Sequence, residues 1–172
     1  SLNTTEKSLS AFEEMEYINH SPDTLTYIWF HLWPNAYKNE KTALYNQYKE
    51  GDKQGLSKFK KAVKGYIDGL AFKVNNETIT VEEHPENIDI VKLILPQPLL
   101  PGDKIAISTP FHVKFPTYFS RSGFIDDAFA VCQWYPKPAV YDRKGWHPIT
   151  YLNMGEYYSE FGTFTVNITV PS

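Results

Sequence analysis

The stretch LTYIWFHLWP, residues 25–34, sets Ile28, Phe30 and Leu32 on one side of an extended chain and Tyr27, Trp29, His31 and Trp33 on the other. Successive side chains of a strand point to opposite faces, so this strand needs cover on both sides. That points to layered β-structure. A chain of 172 residues suits one domain. It can bury ~70% of its unfolded surface and needs no disulfide staple.

The rest of the chain extends the pattern. LSAFEEMEYINHSPDT reads as a strand that ends in an Asn-His-Ser-Pro-Asp turn. Between residues 39 and 66 the period changes: Leu44 and Tyr48, then Leu56, Phe59 and Val63, recur at helical spacing, with Gly51 and Gly55 dividing the run into two short helices. YIDGLAFKVNNETITVEEH then reads as two strands around Asn75-Asn76, since Asn tolerates the positive φ of a tight hairpin. Two more strands follow, separated by Pro96, Pro98, Pro101 and Gly102-Asp103, and the chain stops at TVPS straight after a strand. The expected fold is mainly β: a single domain over residues 1–172, an antiparallel β-sandwich or saddle-like sheet with a short helical insertion around residues 39–66.

Composition narrows the function. A formal charge of −3 of mixed sign argues against nucleic acid or an anionic membrane as partner, and Lys58, Lys60, Lys61 and Lys64 read as the solvated side of a helix. Cys132 is the one cysteine, and its setting FAVCQW reads as a buried strand thiol. There is no run of 18 or more apolar residues and no signal peptide, so no membrane-spanning segment is expected. The polar start SLNTTEKSLS is expected to follow a targeting segment that lies outside these residues. Sequons at Asn3, Asn19, Asn76 and Asn167 are compatible with an extracytoplasmic life.

No complete catalytic set is visible. The five histidines, at 20, 31, 84, 112 and 147, lack the spacings that place two imidazoles on one metal, and His84 reads as part of a solvated turn. There is no Gly-x-Ser-x-Gly elbow, Ser122-Gly123 reads as a loop, and the nine glycines lie singly, so no nucleotide loop is implied. What stands out is aromatic density in the last third. Trp134, Tyr135, Tyr141, Trp146, Tyr151, Tyr157, Tyr158 and Phe161 either fill a sandwich core or form a platform for sugar rings or peptide side chains.

Three stretches carry a resemblance: YINHSPDTLTYIWFHLWPNAY, QWYPKPAVYDRKGWHP and GEYYSEFGTFTVNITVP. Together they resemble the N-terminal β-domain of the M1 (gluzincin, aminopeptidase N-like) zinc metallopeptidases, in the bacterial branch common among Bacteroidetes. That family closes this domain with a Gln-x-Glu-Pro-x-x-Ala-Arg motif. Gln133, Pro136 and Ala139 match it, whereas Tyr135 stands where Glu or Gln is usual and Val140 where Arg is usual.

The resemblance implies a substrate-binding loop of Gln133, Tyr135, Pro136 and Ala139, which reaches a peptide substrate from the N-terminal side. In the family the acid at the position of Tyr135 helps to hold the free amino terminus, as a charge-assisted pair in a water-poor cleft. Tyr135 can offer only a hydroxyl and a ring face. The Zn²⁺ and its His-Glu-x-x-His helix are expected in a separate C-terminal catalytic domain, the main partner of this one. Within this chain the resemblance assigns no catalytic residue and no metal ligand, and it implies a segment inactive alone, of a periplasmic, secreted or lipid-anchored parent. The alternatives are a stand-alone carbohydrate- or peptide-binding module, which exposed Trp134 and Trp146 would favour, and a structural domain whose parent has lost the zinc motif.

Overall fold

Alternation of apolar and polar residues builds the long strands, and turn residues place the short ones. The computed structural model describes residues 1–155 and 157–171. Its elements are β1 (Leu2–Asn3), β2 (Ser8–Ile18), β3 (Leu25–His31), a 3₁₀ helix (Trp33–Tyr37), α1 (Ala43–Gly51), α2 (Lys53–Lys61) and β4 (Tyr66–Asp68). They continue with β5 (Lys73–Val74), β6 (Glu77–Thr78), β7 (Val81–Glu83), β8 (Ile90–Leu99) and β9 (Lys104–Lys114). Five short strands follow: β10 (Gly123–Ile125), β11 (Ala128–Ala130), β12 (Lys137–Pro138), β13 (Val140–Asp142) and β14 (Gly145–His147).

The larger sheet has the order β1-β2-β9-β5-β6, with β4 also on β9, a second has the order β12-β3-β8-β7, and β10-β11 and β13-β14 form two-stranded ribbons. The strand pairs are antiparallel, as expected for a mainly β, sandwich-like domain. Although β8 and β9 follow each other in sequence, they lie in different sheets, so the Gly102-Asp103 turn is a crossover rather than a hairpin. Pro96 and Pro98 have no N–H to give a ladder, and opposite them the β3–β8 register slips between Leu25 and Tyr27.

The main core holds Ile28 and Phe30 of β3, Leu93 and Leu95 of β8, and Ile107, Phe111 and Val113 of β9. Full burial of side chains of this size contributes roughly 1.5–3 kcal/mol each. A second core, of Trp33, Tyr37, Leu44, Tyr45, Tyr48, Phe59, Phe119 and Tyr151, lies under the helical insertion.

Several expectations need correction. The strand through Trp33 stops at His31, because Pro34 starts a 3₁₀ helix whose five residues are all buried. Asn35 pins that helix to β4 and to the turn before β8, accepting from the Ile67 amide at 3.1 Å and donating to the Ile88 carbonyl at 3.1 Å. The helices divide at Asp52, which ends α1 and caps α2 by accepting from the Gly55 amide at 2.8 Å. Gly55 lies inside α2 rather than between the helices, and a Cβ there would stand 2.3 Å from the Tyr48 ring. Val63 falls beyond α2 and is exposed, and Lys64 folds back over the Phe59 ring to donate to the Phe59 carbonyl.

Asn75 and Asn76 do form a hairpin turn, at φ 48 and 70, although the strands around it are two residues long. The sequon at Asn19 is occupied by structure. Asn19 is 1% exposed and its side-chain amide donates to the carbonyls of Asp23 and Leu99, so the folded chain has no free amide there. Residues 157–171 carry no strand; Phe161, Phe164, Val166, Ile168 and Val170 are exposed, and the Leu2 amide donates to the Thr169 carbonyl at 2.9 Å.

Candidate functional site

Residues 133–139 run from a left-handed backbone turn at Gln133, φ 53, into β12, which pairs with the end of β3 as Lys137 opposite His31 and Pro138 opposite Phe30. The turn is closed by its own side chains. Lys137 Nζ donates to Gln133 Oε1 at 2.8 Å and lies over the Trp33 ring. Trp33 stacks on His31 with ring centres 4.5 Å apart, and its Nε1 donates to the Ile149 carbonyl at 3.0 Å. His31 Nε2 accepts from the Ile149 amide at 3.1 Å, which assigns the ring proton to Nδ1. Burial, with the nearby Lys137 charge, holds the His31 pKa down to about 3, so this imidazole is neutral. Lys137 is pushed down to about 8 by the same burial.

The other end of the loop lies on the main core. Trp134 packs on Phe111 at 5.8 Å between ring centres, and Tyr135 meets Trp134 edge to face at 5.6 Å. Pro136 and Ala139 are buried, and the Ala139 amide donates to the Trp29 carbonyl at 2.8 Å. All four candidate residues therefore fall on one anchored loop, with different roles in it. Ala139 ties the loop to β3, Gln133 closes its turn through Lys137 and Pro136 is buried, whereas Tyr135 is half-buried and its hydroxyl has no hydrogen-bond partner among the described residues.

Sequence reasoning missed Glu13. It occupies the inward phase of β2, with Ala11, Met15 and Tyr17, and its Oε1 is sealed without a hydrogen bond. Burial raises the Glu13 pKa to about 8. Burial also raises that of Tyr135, with a further contribution from the Glu13 charge, so the two groups are within electrostatic reach. The signal was available in AFEEMEY, where one acid shares the phase of apolar neighbours.

Other residues settle into different roles. Cys132 is half-buried in the irregular stretch after β11, not in a strand. His84 is half-buried and caps its turn by accepting from the Glu86 and Asn87 amides at 3.2 Å. Tyr151 belongs to the second core, where its hydroxyl accepts from Tyr37 at 2.6 Å and bonds Ser120 at 2.9 Å. Trp134 and Trp146 are half-buried rather than exposed. Tyr141, Trp146, Tyr27, Trp29 and His84 form a row, with successive ring centres 5.0, 6.1, 6.3 and 5.4 Å apart.

Among the described residues no group of three or more His, Cys, Asp and Glu is placed to hold a metal ion. No helix among them is long and apolar enough to cross a membrane. No family model and no curated protein matches the chain.

Proposed function

We propose that this chain is the non-catalytic N-terminal β-domain of a zinc-dependent aminopeptidase of the M1 type, which packs on a C-terminal catalytic domain and lines its substrate cleft. The observation that supports this reading is the loop itself. Lys137, Pro138 and Ala139 hold the loop against β3, Gln133 is tied to Lys137, and the half-buried member of the set without a hydrogen bond from its side chain among the described residues is Tyr135. A fixed backbone with one free side chain suits a wall presented to another domain's substrate, because positioning groups work only when their own support is rigid. On this reading the parent is extracytoplasmic, the peptide is the substrate, and the metal lies outside these residues.

The test is the full-length gene product. A His-Glu-x-x-His segment downstream, with chelator-sensitive release of N-terminal residues from peptides, is the expected result. A full-length chain without that segment and without such activity would sink the reading.

A second reading, a stand-alone glycan- or peptide-binding module, is favoured by the row from Tyr141 to His84, since successive flat rings suit stacked sugars. Trp fluorescence of the 172-residue chain titrated with oligosaccharides tests it. No shift at millimolar ligand would count against it.

A further inference from the structure

The two sheets part where β8 leaves its neighbours. Its pairing with β3 stops at Ile94 and resumes only at Leu99, and β7 ends beside Leu93, so residues 95–98 have no ladder partner on either side. Pro96 and Pro98 lie in that stretch, exposed and without an N–H, so the strand there offers carbonyls that lack matching donors. Across a groove of about 460 Å³ stands the β5–β6 hairpin, whose outer strand β6 pairs with β5 alone. That size lies within the range of about 300–1,000 Å³ usual for ligand sites.

The groove has an apolar floor and an acidic rim. Val74 and Leu99 are buried beneath it, with Ile105 packed on the same core. The hairpin wall is fixed, because β5 also pairs with β9 and the Asn75 side-chain oxygen accepts from the Ala106 amide at 2.9 Å. Glu77 and Asp103 line the groove, and neither carboxylate has a hydrogen bond or an ion pair among the described residues. Lys104 lines it too, but its ammonium is held by Glu16 at 2.8 Å. The groove is therefore rich in acceptors, poor in donors and negative.

We propose that this groove binds an extended segment of a partner protein, with an arginine side chain of that segment taken up by Glu77 and Asp103. An extended chain brings backbone N–H groups to the unpaired carbonyls of residues 95–98, as in the addition of a strand to an open edge. Arginine suits the rest. Its guanidinium has five N–H donors and no acceptor, keeps its charge, and lays flat faces and an apolar stem on proline rings and an apolar floor. An acidic segment would meet like charge and find few donors.

The site lies at the Leu25 end of β3, about 20 Å from the His31 end that carries residues 133–139. It goes beyond the aminopeptidase reading and does not depend on it. Exposed ion pairs contribute roughly 0.2–1 kcal/mol each, so a short probe should bind with a Kd of about 1 mM.

The test uses the whole chain at neutral pH with N-acetyl-Val-Arg-Val-amide, blocked at both ends, and the same peptide with neutral citrulline in place of arginine. Binding is followed by the backbone amide shifts in nitrogen–proton NMR. Shifts should centre on Val74, Asn75, Gln97 and Ile105, the citrulline peptide should bind about fivefold more weakly or worse, and the Glu77→Gln, Asp103→Asn double variant should lose the same factor. N-acetyl-arginine amide, which lacks the extended backbone, should also bind more weakly than the peptide.

No shifts at about 10 mM peptide, shifts centred away from the groove, or equal binding of the citrulline peptide would each overturn the proposal. Unchanged affinity in the double variant would do the same, as would a peptide that binds no better than N-acetyl-arginine amide. The citrulline and amide arms need no variant, so they decide even if the double variant folds poorly.

Discussion

Lys137 holds its ammonium 4.3 Å from the centre of the Trp33 ring, inside the turn that carries the candidate loop. Burial depresses this lysine from 10.5 to about 8, with a nearby Cys132 acting the other way. The unfolded chain therefore binds the proton more tightly than the folded one between those values. Stability from this group is fully present above pH 10.5 and falls as pH drops towards 8, by up to about 1.4 kcal/mol per unit. Lys137→Met should remove that slope. Urea unfolding of both proteins at pH 8 and pH 10 checks it: the stability gained on going up in pH should be larger for wild type.

Glu13 should act in the opposite sense. Its folded pKa is raised from 4.5 to about 8, so its neutral form favours the fold below pH 4.5 and that contribution is lost as pH rises to 8. Glu13→Gln keeps the shape and cannot ionise. The variant should match wild type near pH 4 and pull ahead of it above pH 6, by up to about 1.4 kcal/mol per unit. Thermal melts across pH 4 to 8 read the difference directly.

Tyr135 can be divided into ring and hydroxyl. The ring packs on Trp134 and lies 6.1 Å from Phe164, so Tyr135→Ala should cost about 1–2 kcal/mol of stability. The hydroxyl has no partner among the described residues, so Tyr135→Phe should be neutral within about 0.5 kcal/mol. If the full-length protein is a peptidase and the loop faces its substrate, both variants should raise KM or change residue preference. Denaturation of the domain combined with kinetics of the full-length enzyme separates the two effects; unchanged kinetics in Tyr135→Phe would mean that the hydroxyl touches nothing in the substrate.

In the second core, Tyr37 donates to Tyr151 at 2.6 Å with both residues buried, and burial pushes both phenols well above their ordinary pKa. Tyr151→Phe leaves the Tyr37 hydroxyl without its acceptor and should cost about 1–3 kcal/mol. Adding Tyr37→Phe should recover part of that loss. A double-mutant cycle by chemical denaturation measures the coupling, and additive effects would mean that the bond contributes nothing net.

Gly55→Ala offers a test of packing against propensity. Alanine is the better helix former by about 1 kcal/mol. The added Cβ would nevertheless stand 2.3 Å from the Tyr48 ring, and overpacking of this kind costs about 1–3 kcal/mol. The variant should lose stability, as seen by a lower Tm, and Tyr48→Leu in the same chain should soften the loss.

Local rules were enough for much of this fold. The Asn75-Asn76 turn, the inward phase of β2 and the helical period at Leu44 and Tyr48 all follow from chemistry within a few residues. The loop at Gln133, Pro136 and Ala139 was visible as a spacing, but its anchoring was not. That depends on Lys137 reaching Trp33, a residue more than a hundred positions away in a helix that alternation alone misread as strand. Pro34 was the missing cue, since it overrides the two-residue period at Trp33. Glu13 shows the same limit. Its phase was legible, but its isolation requires knowing that the Thr109 hydroxyl is already committed to Ala71 and Pro110.

The buried amide of Asn19 bears on how the protein can be made. It ties the end of β2 to Leu99 at the end of β8, and a sugar on that nitrogen would need space that the fold does not leave. In a host whose secretory machinery glycosylates nascent chains before they fold, molecules modified at Asn19 would lose this tie between the two sheets. Replacing Ser21 with alanine would remove the acceptor sequence, at the expense of the serine's own hydrogen bond to the Asn19 carbonyl oxygen of the side chain.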